Sequence, residues 1–288
     1  MLFISIFKII RVFCRKLRDD FVGAFSAQAA FFLFISFFPF AMFLLALLRI
    51  LPFNEGQLLE ACQTMIPTAL QSSAILIVSE LYDRASSTAI VSVTIIATLW
   101  TSSKGILSII RGMNGVYANT ETRNYFLLRL KAIIYTLLFA ILLIILLVIF
   151  VFGNQLYIWI VDQIPGLTNF ALIIISLRTI VGLGVLILFF ILLYLVVPNR
   201  KSTFLKELPG AILCASGWMI FSYLYSFYID NMQSLSYTYG SLTAIVLCML
   251  WLYFCMFIMF VGAELNSVLS NPTVMAAIKK LFKKDKVE

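Results

Sequence analysis

Long apolar stretches separated by short polar ones dominate the chain. A helix needs about 20 apolar residues to cross a bilayer. Six stretches approach or exceed that length, at about 21–50, 86–107, 132–152, 170–197, 209–229 and 240–265. The third is nearly pure Leu, Ile, Val and Phe. The pattern predicts an all-α membrane protein, a polytopic bundle of six transmembrane helices. Residues 1–20 differ. Lys8, Arg11, Arg15 and Arg18 recur at helical spacing, with Phe3, Ile6, Phe7, Ile10, Phe13 and Leu17 on the opposite face. This predicts an N-terminal amphipathic interfacial helix on the inner leaflet. A signal peptide would place its charges before a shorter apolar run.

Polar positions inside the stretches add detail. Pro39 lies within the first, removing one backbone hydrogen bond and freeing the Ile35 carbonyl, so a kink is expected. The second is the most polar, with Ser87, Thr94, Thr98, Thr101 and Gly105 on one face. Residues 52–85 carry acids, prolines and short apolar patches and read as an outer-side surface segment broken at Pro67. The loop after the second span is expected to hold Arg111, Arg123, Arg129 and Lys131. The organisation is then a surface helix over 1–20, a six-span domain over 21–270 and a basic cytosolic tail over 271–288.

Charge fixes an orientation. Cytoplasmic loops of membrane proteins are enriched in Lys and Arg. The N-terminus, the second and fourth loops and the tail hold five, five, three and five of these residues, 18 of the 21 in the chain. Both termini are therefore expected in the cytosol, and the location is the cytoplasmic (inner) membrane. The exceptions are Arg49, Arg84 and Arg178.

Composition agrees: 62% of residues are hydrophobic and 12% charged, against about 45–50% and about 25% in soluble domains. The net charge of +8 sits at membrane borders, so it does not call for nucleic acid. Of the five cysteines, only Cys62 falls on the expected outer side, and none forms a CxxC pair, so neither a disulfide framework nor a metal site is expected. The chain has no histidine. That removes His general bases and His metal ligands, and with them the common triads. No catalytic residue, metal or cofactor is expected, and the protein is read as a non-enzyme.

Three stretches carry a resemblance. The first runs Ala24-Phe25-Ser26-Ala27-Gln28-Ala29-Ala30-Phe31-Phe32 to Ser36-Phe37-Phe38-Pro39. The second is Trp100-Thr101-Ser102-Ser103-Lys104-Gly105, then Arg111-Gly112-Met113-Asn114-Gly115-Val116-Tyr117 and Glu121-Thr122-Arg123. The third is Tyr239-Gly240-Ser241-Leu242, Trp251-Leu252-Tyr253 and Gly262-Ala263-Glu264-Leu265-Asn266, with Pro209-Gly210-Ala211 before it. In this order and spacing they resemble the YihY/BrkB family of bacterial inner-membrane proteins along nearly the whole chain. The resemblance implies a multi-pass membrane protein, with links in some members to serum resistance and in others to lipid or envelope transport. It marks Arg111, Asn114, Tyr239, Gly240, Trp251 and Gly262 as motif positions. An older family label, ribonuclease BN, implies tRNA processing. A metal-dependent nuclease needs clustered His and Asp, which this chain does not offer.

Candidates for a transport path or gate are Ser36, Pro39, Thr94, Thr98, Thr101, Lys104, Arg178 and Glu264. An intramembrane charge such as Arg178 is a functional candidate, or it snorkels or pairs with Asp162 or Asp230. Glu264 opposes the dipole of its own helix end, so a cation is expected beside it, either Lys104 or Arg111. The hydroxyl face of the second span lines a polar path or glues helices together. The leading expectation is a transporter or flippase-like protein for a lipid, envelope precursor or small solute. The alternative is a non-transporting scaffold for envelope machinery. A membrane-embedded hydrolase or nuclease ranks last. Membrane lipids are the expected partners.

Overall fold

The computed structural model describes residues 2–48, 88–119, 121–142, 171–231 and 241–271, with the isolated positions 56, 59, 75, 79 and 144. The expected outer segment 52–85, the turn before Phe170 and the basic tail lie almost wholly outside the described residues, as do Tyr239 and Gly240. Everything described in regular structure is helical. In chain order the helices are α1 (Leu2–Asp19), α2 (Val22–Leu48), α3 (Thr88–Val116), α4 (Tyr125–Leu142), α5 (Ala171–Val196), α6 (Phe204–Asn231) and α7 (Ser241–Ser270).

Among the described residues, four stretches are long and apolar enough to cross a membrane: Val22–Leu44, Tyr125–Leu142, Phe204–Ile229 and Ile245–Ser270. Gly182–Val196 is apolar but shorter. Their outer faces suit lipid. On α6, Ile220, Leu224 and Phe227 follow one another at helical spacing and are all more than half exposed. A row like that would be a sticky patch in water and is unremarkable against acyl chains. α1 is amphipathic as expected, and α2 continues as helix through Pro39.

Four boundaries differ from the sequence reading, one being the end of α7, which runs to Ser270, five residues beyond the expected end. α3 runs on to Val116, nine residues beyond the expected end. Its last turns bury Ser103, Ser108, Met113 and Asn114, so protein rather than water surrounds them. α4 starts at Tyr125, which places Arg129 and Lys131 in the helix instead of the loop. Arg129 is tolerated there because its guanidinium lies 4.6 Å from the centre of the Trp100 ring and donates to the Trp100 carbonyl. α6 starts at Phe204, so Pro209 lies inside it. Glu207 in the first turn favours that start through the helix dipole.

The chain divides into two compact units. One comprises Met1–Phe34, Leu107–Asn124 and Leu177–Glu288, the other Ile35–Ile106 and Tyr125–Ser176. In the first unit α6 and α7 pack most closely at Gly210 and Gly262. A Cβ on Gly210 would run into the Gly262 carbonyl and the Asn266 amide, and one on Gly262 would meet the Tyr194 hydroxyl and the Gly210 carbonyl. Nearby, Gly112 and Gly115 leave room for the rings of Phe260 and Phe25. Further along, Trp251 lies 6.2 Å from Trp218, whose indole N–H donates to the Cys255 carbonyl at 3.0 Å. In the second unit the Gly105 amide donates to the buried Ser36 hydroxyl at 3.1 Å, joining α2 to α3.

Because backbone atoms cannot swing aside, Gly210→Ala and Gly262→Ala should each lower stability by about 1–3 kcal/mol. Gly182→Ala, where an added methyl meets nothing within 4 Å, should be neutral or stabilising by up to about 1 kcal/mol. Thermal denaturation in detergent compares the three, and equal melting points would contradict the packing described.

Candidate functional site

The polar side chains of the first unit gather where helix ends meet. Glu207, in the first turn of α6, is fully buried. A buried carboxylate must receive its hydrogen bonds from the protein. Glu207 accepts from the Tyr117 hydroxyl at 3.1 Å, Arg200 Nη2 at 2.5 Å, the Ser202 hydroxyl and Asn266 Nδ2 at 3.0 Å. The Arg200 guanidinium also lies 3.5 Å from the centre of the Tyr117 ring. Asn266 donates to the Glu207 carbonyl at 3.1 Å and accepts from the Gly210 amide at 2.7 Å. One carboxylate thus ties the loop before α6 and the end of α3 to the end of α7. Burial raises the Tyr117 pKa, so its hydroxyl stays a donor.

Asn114 makes a second tie beside the first. Its Nδ2 donates to Glu121 Oε2 at 2.6 Å and its Oδ1 accepts from the Asn199 amide at 2.8 Å. Asn199 Nδ2 reaches Thr122 Oγ1 at 3.3 Å. These bonds bring the C-terminal ends of α3, α5 and α7 and the N-terminal end of α6 to one level. Within the first unit, α6 therefore runs opposite to the last turns of α3, to α5 and to α7.

Glu264 is two residues before Asn266, so it leaves α7 on roughly the opposite face. It too is fully buried. Its cation is Lys16 of α1, with Nζ at 2.5 Å from Oε1. Lys104 and Arg111, the partners expected from sequence, are exposed. The reason is topological: α1 folds back against the end of α7, which no spacing rule along the chain could signal. Lys16 is its cation at hydrogen-bonding distance, and among the described residues neither Glu264 oxygen has a further donor. Lys16 also pairs with Asp20 at 2.6 Å. Burial lowers the Lys16 pKa, but the bond to Asp20 and the pairing with Glu264 outweigh it and the net shift is upward.

The remaining candidates fall in several places. Ser36 is buried on α2 and engaged with Gly105. Pro39 is inside α2. Thr98 and Thr101 bond back to the carbonyls of Ile95 and Ala97 in their own helix. Thr101 also borders an open apolar depression of about 430 Å3 with Ile96, Ala97 and Trp100. Thr94 and Arg178 belong to α3 and α5, but their side chains lie outside the described residues. Among the described residues no three His, Cys, Asp or Glu side chains gather as a metal site would require. Of the motif positions, Asn114 and Gly262 belong to the polar junction, Trp251 to aromatic packing, and Arg111 to the surface. Glu207 and Arg200 are the members that sequence reasoning missed. A lone acid just before a proline-glycine pair reads as a loop charge, and only its burial reveals it.

Known proteins share this sequence. The profile of the family described as "Virulence factor BrkB" matches residues 13–287. The ribonuclease-like protein YfkH of Bacillus subtilis (strain 168) is 31% identical over 244 residues, covering 85% of this chain and 88% of that protein. The UPF0761 membrane protein PSHAa0171 of Pseudoalteromonas translucida is 29% identical over 39% of this chain and 36% of its own. The UPF0761 membrane protein VV0203 of Vibrio vulnificus is 34% identical over 28% of this chain and 26% of its own. No solved structure matches.

Removing one partner of a buried ion pair costs more than removing both. Lys16→Met should therefore lower the melting temperature, and adding Glu264→Gln should recover part of the loss. The single loss should fall below the ~3–5 kcal/mol of a fully buried pair, because Lys16 keeps 28% of its side chain exposed. The raised Lys16 pKa makes this contribution complete below pH 10.5 and loses it as pH rises through the higher folded value. Melting curves of the wild type and Lys16→Met should converge at alkaline pH.

Proposed function

The chain belongs to the BrkB family of membrane proteins, and on that premise we propose that it is a transporter or flippase-like protein for a lipid, an envelope precursor or a small solute. The observation that carries this reading is Glu264. A fully buried carboxylate near the end of α7, held by one cation from a surface helix and by no further donor among the described residues, is suited to change partners. Glu207 beside it is saturated with donors and serves as the fixed point. An intramembrane acid that can exchange its partner is the usual element of a gate or of ion coupling.

The proposal includes a topology. The protein lies in the cytoplasmic membrane with six spans, α2 to α7, and both termini in the cytosol. The opposite directions of α5 and α6 and of α6 and α7, together with the Lys/Arg bias, support it. The proposed activity is non-enzymatic. The name of YfkH mentions a ribonuclease, but this chain has no histidine to serve such chemistry. A scaffold role for envelope machinery is the second reading, favoured by the tight packing around Glu207.

Reconstituted vesicles test the function. Translocation of labelled lipids and of solutes should exceed that of protein-free vesicles and fall at least about tenfold in Glu264→Gln, while Gly182→Ala stays active. A folded protein with no translocation across the panel would support the scaffold instead. The topology has its own test. A cysteine placed at Asn54 should react with an impermeant reagent from outside intact cells, and labelling from the cytosol alone would overturn it.

A further inference from the structure

The basic face of α1 is not consumed by the interactions described above. Lys16 turns toward Glu264. Arg11, Arg15 and Arg18 follow one another at i, i+4 and i+7, so they share a different face of the helix. All three are exposed, and with Cys14 they line an open depression of about 490 Å3. Among the described residues none of the three guanidinium groups pairs with a carboxylate. Asp20 is engaged by Lys16, which leaves exposed Asp19 as the nearest acid along the chain.

Like charges one turn apart destabilise a helix. Three guanidinium groups share these two turns with exposed Asp19 as the one acid of the helix, forming no ion pair with it, so an external anion would offset the remaining charge. Guanidinium is a planar fork that binds phosphate oxygens in pairs and carries its charge at every physiological pH. The neighbours say which kind of phosphate. Ile10 and Val12 on the same helix are more than half exposed. Four residues after Arg18 the chain enters α2, the first membrane-length helix, through a turn at Phe21 with φ 52° and an exposed ring. The charged cluster thus borders apolar surface at the point where the chain enters the membrane. That combination fits an amphiphile better than a soluble anion.

We infer that Arg11, Arg15 and Arg18 form a binding site for the phosphate headgroup of an anionic membrane lipid, with Cys14 in its lining. The inference rests on the proposed placement of α1 at the inner leaflet. It deepens that reading by naming the lipid class and the residues that hold it. Because α1 also carries Lys16, the lipid would hold the helix that delivers the cation to Glu264.

Cys14 supplies the readout. The full-length protein in detergent is treated with a maleimide, and modification of the Cys14 peptide is followed by mass spectrometry. Short-chain phosphatidylglycerol should slow the reaction at least about fivefold, while phosphatidylcholine and inorganic phosphate at equal concentration should not. Each basic residue near an anionic surface contributes about a fivefold factor in affinity. The triple variant R11Q/R15Q/R18Q should therefore need about a hundredfold more phosphatidylglycerol, and the triple Arg→Lys variant should keep most of the protection. The single R15Q, at an exposed helical position, should show the fivefold step even if the triple variant folds poorly. Equal protection by phosphatidylcholine would overturn the site, as would protection by inorganic phosphate or protection that survives in R15Q and the triple glutamine variant. So would no protection by phosphatidylglycerol. The detergent titration does not depend on which side of the membrane α1 occupies, so its failure is distinct from a failure of the Asn54 labelling.

Discussion

A carboxylate sealed inside a membrane protein has no water to turn to, and the fold of the first unit is organised around that constraint at Glu207. Four side chains from three parts of the chain converge on it: Tyr117, Arg200, Ser202 and Asn266. Each arrives because its own segment ends there. Each oxygen receives two of them, so losing any one weakens the hold on a buried charge without stripping it, at a cost of about 1–3 kcal/mol. The helices cannot slide along one another without breaking several of these bonds together. The glycine contact between Gly210 and Gly262 depends on the same register, since Asn266 ties Gly210 to the carboxylate.

Glu264 is the counterpoint. The two acids are equally buried, and Asn266, two residues from Glu264 on the opposite side of α7, belongs to the Glu207 network. Yet Glu207 is saturated with hydrogen bonds, whereas Glu264 has an ion pair alone. The partner comes from α1, whose Arg11, Arg15 and Arg18 are exposed, and that partner is shared with Asp20. Two equally buried acids on the two sides of α7 thus differ in how many donors hold them.

The membrane reading rests on surfaces as much as on spans. Ile220, Leu224 and Phe227 on α6, and Phe37 and Phe38 on α2, are exposed large apolar groups that lipid accommodates without penalty. Arg129 shows the rule for the opposite case. It sits inside a membrane-length helix because Trp100 supplies both a ring face and a carbonyl.

Much was legible in the chain before any fold was known. Apolar length predicted helices, and helical spacing of Arg and Phe predicted α1, because both depend only on local geometry and on what lipid tolerates. The quoted motifs already contained Asn114, Tyr117, Gly262, Glu264 and Asn266. The expectation that Glu264 needs a cation was a local argument about a helix end, and it was sound. Which cation answers was not local. Lys104 and Arg111 lie at a plausible depth, but depth says nothing about the direction in which a side chain leaves its helix. Glu207 was invisible for the same reason: in the polar connection before the expected fifth span it looks like any solvated acid, and burial is a property of what packs over it. The sequence by itself determined that the chain would build apolar membrane helices and that Glu264 would need a partner. Only the tertiary structure decided the pairing, because a hydrogen bond or an ion pair acts over about 3 Å, and distances that short between helices far apart in the chain are set by packing alone.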